Sequence, residues 1–356
     1  MDAGGAGPVS AVSAAGEPRA LDQGRAPTRG RRWTALLLLA AAVLVVTVGA
    51  LSTGYRRIDL EALRSDPTSR TIFLEIRLPR VLLGLIVGGS LGVVGAALQA
   101  LFRNPLADPF TLGVSGGGAL GASLAIALGL GGRVGALPLV FVAAFLGAGC
   151  AVLLVYRLAS VGVVLLPGAL LLAGVVINLI AASGVLLLQC LSDYTRALQI
   201  LRWLVGSLDV VGAGVLWPMV LFLTPGIVAL LVQARDLHLV AVDSETAASL
   251  GVNVRRVERI TYAASCLVVG TTVAVVGPIG FVGLVVPHAV RRLFGEDVRV
   301  VMPGSLLLGA AFLVLADTMA RTLLGAAELP VGAVTALAGG PAFLWLLGRR
   351  RHASLL

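Results

Sequence analysis

The sequence predicts an all-α membrane protein with ten transmembrane helices, and three observations support this fold class. The 356 residues are 58% hydrophobic and only 13% charged, whereas soluble domains carry about 25% charged residues. Apolar runs long enough to cross the roughly 30 Å hydrocarbon core of a bilayer recur along the chain. The basic residues, all of them arginines, lie mostly in short segments between these runs.

Ten apolar runs are predicted to span the membrane. The first is too long for the apolar region of a cleaved signal peptide, so we interpret it as a retained span. The eighth is short and interrupted by glycine. The ten runs are residues 33–51, 81–101, 114–130, 137–155, 163–188, 216–232, 260–276, 279–290, 303–324 and 331–347.

The distribution of arginines predicts the orientation of the chain. An even number of spans places both termini on one side, and with that side inside, 17 of the 27 arginines are cytoplasmic. Positive charge near spans is retained on the cytoplasmic side. We therefore expect a multi-pass protein of the cell (inner or plasma) membrane with both termini cytoplasmic. It would have a disordered tail at 1–28, a ten-helix domain at 29–351 and a short C-terminus at 352–356.

Several function classes lack the motifs that they need. The stretch GGGALG at 116–121 matches a dinucleotide-binding pattern, but it opens an apolar helix and follows no strand. No G-x-x-x-x-G-K-[ST] motif is present, so this chain is not expected to hydrolyse ATP. The three cysteines and three histidines are scattered, which predicts no metal site, and no catalytic set is identifiable. Because the arginines follow membrane topology, we expect no nucleic-acid partner.

Ionisable residues are rare within the predicted spans. No series of carboxylates or histidines crosses the bilayer, which argues against a proton-coupled carrier. Asp317 and Arg321 are four residues apart, so they are expected to pair on one helix face. Gly84, Gly88 and Gly92 are spaced by four residues, a pattern that lets helices approach closely in lipid.

The longest predicted cytoplasmic segment outside the spans covers residues 241–260. Asp243 or Ser244 is a suitable N-cap, and Gly251 suits a left-handed helix end. Asn253 can cap a second helix that runs into the seventh span. We expect two short helices joined by a tight turn, which form either a docking element for a cytoplasmic partner or an ordinary surface loop.

The segment 102–115 joins the second and third spans on the predicted cytoplasmic side. Its two prolines prevent the helix from continuing, and irregular backbone at membrane depth must line a cavity or be buried in protein. Asn104 and Leu106 are therefore candidates for a constriction, while a rigid turn is the alternative reading.

Four stretches carry a resemblance to a known family. They are RLPRVLLGLIVGGSLGVVGAALQALFRNPLADPFTLGVSGGGALGA, SLGVNVRRVERI, GPIGFVGLVVPHAVRRLFG and ADTMARTLLGAAELPVGAVTALAGGPAFLWLL. The resemblance as a whole covers about residues 35–348, in order and without large gaps. The chain resembles the permease subunits of type II ABC importers, a family that moves iron–siderophore complexes, haem and cobalamin.

The resemblance implies partners and roles for individual residues. It implies a homodimer or a pair of like subunits, two cytoplasmic ATPases that bind ATP and magnesium, and an extracytoplasmic binding protein; this chain itself would bind no cofactor. Arg77, Arg80 and Arg321 would dock the binding protein, with lipid-facing anchors as the alternative. Two coupling helices at about 243–258 would contact the ATPases. The residues involved would be Ser244, Glu245, Ser249, Leu250, Gly251, Asn253 and Arg255. Asn104 and Leu106 would form an inner gate, and Asn178 and Gln189 would face the pathway.

These observations predict a transmembrane permease subunit that is not itself an enzyme. The expected cargo is an iron–siderophore complex, and cobalamin or haem is the alternative. A secondary transporter driven by an ion gradient is the alternative from another class, and the absence of an intramembrane relay argues against it.

Overall fold

The computed structural model describes residues 29–53, 66–161, 164–165, 167–209, 213–323 and 328–353. The predicted tail at 1–28 and residues 354–356 of the predicted C-terminus lie outside this part of the chain. The described residues are mostly helical. The last helix runs through Ala353, two residues past the predicted end of the helical domain.

Each predicted span falls on a helix. The helices at these positions are α1 (Arg29–Ser52), α3 (Leu78–Leu101), α4 (Val114–Ala127), α5 (Leu139–Ala159), α6 (Pro167–Leu191), α8 (Ala213–Val232), α11 (Val254–Val276), α12 (Val282–Phe294), α13 (Val298–Thr322) and α14 (Val331–Ala353).

Seven of the described helices are long and apolar enough to cross a membrane. Helix α4 and the stretch 331–344 of α14 are apolar but shorter, and α12 has 13 residues and two arginines in its last turn. The all-α membrane fold is therefore established, while the number of ten spans stays a prediction.

Further short elements connect the long helices. They are α2 (Pro67–Thr71), a π-helical turn (Ile72–Arg77), a 3-10 turn (Pro109–Leu112), α7 (Tyr194–Leu204), α9 (Ala234–Val242) and α10 (Ser244–Ser249). The helix at 244–249 was predicted from its capping residues, and the others were not predicted. Two-residue strands pair as antiparallel hairpins, β1 (Arg133–Val134) with β2 (Leu137–Pro138) and β3 (Ser160–Val161) with β4 (Val164–Leu165).

Helix α3 is the central element of the bundle. It continues directly from α2 and the π-helical turn, and most of its residues are buried against α11, α12 and α13. Its glycines meet α13 at backbone distance, because a Cβ at Gly88 or Gly92 would overlap the carbonyl oxygen of Gly309 or Ser305. This confirms the close packing that the glycine spacing predicted.

The peripheral helices α1, α5, α6 and α8 bury less than a third of the residues in their most apolar stretches and carry exposed apolar side chains. Exposed apolar faces of this size suit contact with lipid or another subunit. We call the end of the bundle that carries Arg77 and Arg80 the outer end and the end that carries residues 103–108 the inner end, after the topology predicted from the sequence. Helix α3, about 36 Å long, separates them.

Candidate functional sites at the two ends of the bundle

At the outer end, Arg80 lies in a buried cluster of charged side chains. Its Nε donates to Oδ1 of Asp317 at 3.0 Å, and its Nη1 donates to Oε2 of Glu328 at 2.8 Å. Asp209 Oδ1 is 3.7 Å from the same Nη1. Arg80 is only 6% exposed, whereas Asp209 and Glu328 are 73% and 52% exposed. One guanidinium therefore links α3 to α13 and to the segments before α8 and α14.

Asp317 is shared by two arginines. It is 2% exposed, and its Oδ2 lies 3.0 Å from Nε of Arg321, which confirms the pairing expected from their spacing along α13. Its other oxygen accepts from Arg80. A buried carboxylate is costly unless it is paired, and here two guanidinium groups compensate it.

Arg77 is also engaged within the chain. Its Nη1 donates to the backbone carbonyl of Leu51 at 3.2 Å, near the C-terminal end of α1, where helix carbonyls lack intrahelical partners. The three arginines for which docking was predicted, Arg77, Arg80 and Arg321, are 5%, 6% and 9% exposed. Their observed contacts are internal, and their docking role stays a prediction.

A cavity of about 790 Å³ borders this cluster. Arg80, Asp209 and Glu328 line one part, and α7 contributes Arg202 and Trp203 to another. Sequence reasoning missed Asp209 and Glu328 as partners of Arg80. No local signal marks them, because Glu328 is 248 residues away from Arg80 in sequence.

At the inner end, the segment 243–253 has the predicted local structure. Asp243 caps α10, with its Oδ2 accepting from the amide of Thr246 at 2.7 Å. Hydrogen bonds from the side chain and the backbone amide of Thr246 hold the pKa of the Asp243 carboxyl below its usual value, so the cap is charged at neutral pH. Asn253 caps α11 by accepting from the amide of Arg256 at 3.1 Å.

Gly251 ends α10 with a φ of +87°, and no atom lies within 4 Å of where its Cβ would be. Glycine is therefore favoured at this position by the left-handed backbone conformation and not by a lack of space for a side chain. Beside it Leu250 is 65% exposed, while Ala247 on the same short helix is buried. The predicted coupling residues Ser244, Glu245, Ser249, Leu250, Gly251, Asn253 and Arg255 thus lie together around an ordered helical turn.

The predicted gate residues lie in a compact turn at the same end of the bundle. Asn104 Oδ1 accepts from the amide of Leu106 at 2.9 Å, and the Leu106 side chain is exposed. Of the residues predicted to face the pathway, Asn178 donates to the carbonyl of Phe110 at 2.8 Å and accepts from the amide of Gly116 at 3.0 Å. Gln189 donates to the carbonyl of Ala197 at 3.4 Å. Gate and pathway roles stay predictions.

The apolar bundle, with an ordered helical turn at one end and a charged cluster at the other, defines a multi-pass membrane protein. The family model described as the FecCD transport family matches residues 32–349. The chain belongs to this family and is the permease subunit of a type II ABC importer.

Curated relatives agree with this assignment. The hemin transport system permease protein HmuU of Yersinia pestis is 41% identical over 89% of this chain and 94% of its own length. The cobalamin import system permease protein BtuC of Halobacterium salinarum is 42% identical over 81% of this chain and 76% of its own length. A solved structure described as a metal-chelate type ABC transporter in an inward-facing conformation matches with a TM-score of 0.77 and 31% identity, over 89% of this chain and 99% of that one.

Proposed function

We propose that two copies of this chain, or this chain and a like subunit, form the pathway through which an ATP-driven importer carries a metal chelate. The supporting observation is the exposed helical turn at 243–253, which offers a docking element at the inner end of a chain with no nucleotide-binding motif of its own. Two cytoplasmic ATPases bind ATP and magnesium and hydrolyse the ATP, and an extracytoplasmic binding protein delivers the cargo. Both termini are cytoplasmic, and the importer lies in the cell membrane.

For the cargo, we infer an iron–siderophore complex, haem or cobalamin. The siderophore is the inference from the sequence, while the named relatives, permeases for hemin and cobalamin, favour the other two. A direct comparison in one transport assay separates the three cargoes.

Reconstitution tests the proposed function. Proteoliposomes that contain this chain and its ATPase, supplied with the binding protein, should take up one of the three labelled chelates only when ATP is present. Omission of the ATPase is the control. Uptake that persists without the ATPase and follows an imposed ion gradient would instead establish a secondary transporter.

Replacing Gly251 with valine should uncouple ATP hydrolysis from transport. A β-branched residue at a φ of +87° is strained by about 1–2 kcal/mol, so the turn between α10 and α11 should rearrange. We expect chelate uptake per ATP hydrolysed to fall while hydrolysis continues. Gly251→Asn is the matched control, because asparagine tolerates the left-handed conformation. Equal coupling in the valine and asparagine variants would reject the role of this turn.

Replacing Glu328 with glutamine should strengthen the binding of the extracytoplasmic binding protein to this subunit. If Arg80 docks a carboxylate of that protein, the incoming group must compete with Glu328, which is half-exposed on the same Nη1. Removal of the charge of Glu328 should lower the Kd about two- to fivefold at low salt, as for other exposed pairs.

Glu75→Gln is the control for this experiment, because Glu75 is an exposed acid near the same end of α3. It corrects for the general loss of negative charge. If Glu328→Gln binds no more tightly than Glu75→Gln, Arg80 has only its internal role.

A further inference from the structure

Arg103 ends helix α3 in a backbone conformation that arginine rarely adopts. Its φ is +48°, its amide donates to the carbonyl of Ala100, and the amide of Asn104 donates to the carbonyl of Gln99. These two bonds form the helix end at which glycine is usual. A residue with a Cβ costs of order 1 kcal/mol or more at this position, so arginine needs a compensating contact here.

The side chain of Arg103 makes such a contact with α9. Its Nε and Nη2 both donate to the carbonyl oxygen of Val240, at 3.1 and 2.8 Å. Val240 lies in the last turn of α9, where carbonyls lack intrahelical partners and a positive charge is favourable. Arg103 therefore caps α9 from a different part of the chain.

Helix α9 leads directly into the segment proposed to contact the ATPases. Asp243 is at once the C-cap of α9 and the N-cap of α10. No flexible linker separates the two helices, so a displacement of α10 moves the end of α9 and the Val240 carbonyl with it.

On its other side, Arg103 is joined to the predicted gate turn. Asn104 follows it in the chain, and both the side chain and the carbonyl of Asn104 accept backbone amides, from Leu106 and Ala107. These bonds make 104–107 one compact unit. A shift of Arg103 therefore moves the whole turn.

We propose that Arg103 is a positioning residue that transmits movement of the 243–253 segment to the gate turn at 104–107. The proposal rests on the proposed function of these two elements as ATPase contact and gate. The guanidinium of Arg103 supplies a direct hydrogen-bonded connection between them, and its two bonds to one carbonyl restrict the angle as well as the distance.

Replacing Arg103 with glycine tests the connection between the 243–253 segment and the gate turn without adding backbone strain. Arg103→Gly suits a φ of +48° and keeps the helix end, so the Tm of the subunit should be maintained while the link to Val240 is lost. In the reconstituted importer we expect ATP hydrolysis to continue and uptake per ATP to fall about fivefold or more, the range of ordinary coupling energies. Arg103→Lys, which can keep one of the two bonds, should fall between. Arg235→Gln, an exposed arginine on α9, is the control.

A spin label at Leu106→Cys, in a protein whose exposed cysteines Cys150 and Cys190 are replaced by alanine, gives a readout that a merely structural role would not move. In the parent protein, nucleotide binding by the ATPases should change the mobility of the label, and Arg103→Gly should abolish that change. An importer with Arg103→Gly that keeps both normal coupling and the label response overturns the proposal. Failure of the proposed function is distinguishable, because the parent protein would then show no ATP-dependent uptake at all.

Discussion

Replacing Arg80 with glutamate is expected to prevent stable folding of the subunit. This effect is larger than the loss of a docking contact alone. The change would remove the cation that compensates Asp317 and place a new carboxylate beside it and Glu328. Breaking a buried ion pair by removing one partner costs about 3–5 kcal/mol, a large share of the stability of most domains. The yield of monodisperse protein and the Tm in detergent measure this loss.

Two further variants show whether the expected loss of stability comes from disruption of the charged cluster around Arg80. Arg80→Lys keeps the charge and should lose much less stability, although lysine cannot reproduce the forked geometry. Arg133→Glu reverses an exposed charge on the β1–β2 hairpin and should leave the Tm near that of the parent protein. A normal Tm for Arg80→Glu would contradict the observed pairing. Binding-protein affinity measured with Arg80→Glu would be ambiguous, and for this reason Glu328→Gln is the better test of docking.

Replacing Gly88 with valine is expected to disrupt the contact between α3 and α13. Its Cβ would overlap the carbonyl oxygen of Gly309 and crowd the Cβ of Leu313. Neither backbone can yield locally, because Gly92 and Ser305 are in similarly close contact farther along the same two helices. Overpacking a well-packed core costs about 1–3 kcal/mol and occasionally more, and we expect the upper end of this range. Thermal unfolding in detergent measures it.

Gly49→Val is the matched control for this prediction. It introduces the same side chain into the interior of α1, at a position where no atom lies within 4 Å of the new Cβ. The difference in Tm between the two variants isolates the helix contact from the intrinsic helix preference of valine. Equal Tm values would show that α3 and α13 can separate without cost.

Local interactions explain why part of the inner site was predictable. Asp243, Gly251 and Asn253 act through hydrogen bonds and dihedral preferences that involve neighbours three or four residues away, so their order in the sequence was sufficient. The pairing of Asp317 with Arg321 is likewise set by the helical repeat. By contrast, α9 has only nine residues and is too short to register as a span in a hydropathy profile, and its role in joining α10 to α3 was missed.

The outer site was predictable only in part. The sequence drew attention to Arg77 and Arg80 because their charge lies on the predicted outer side of the membrane, and to Arg321 because it falls near the outer end of a predicted span. It could not show that Arg77 and Arg80 are buried against the protein, because their partners Leu51, Asp209 and Glu328 come from separate segments.

The sequence by itself determined the membrane class, the positions of the long helices and the helix ends around residue 251. These follow from the transfer of apolar side chains out of water and from contacts within one helical turn, both of which depend on nearby residues alone. Only the tertiary structure decided which helices meet and which carbonyl Arg103 contacts. In a membrane, lipid and protein interior are about equally apolar, so a uniformly apolar helix carries no pattern that marks its buried face. Its neighbours are instead selected by backbone fit and by pairing of the few polar groups across more than a hundred residues.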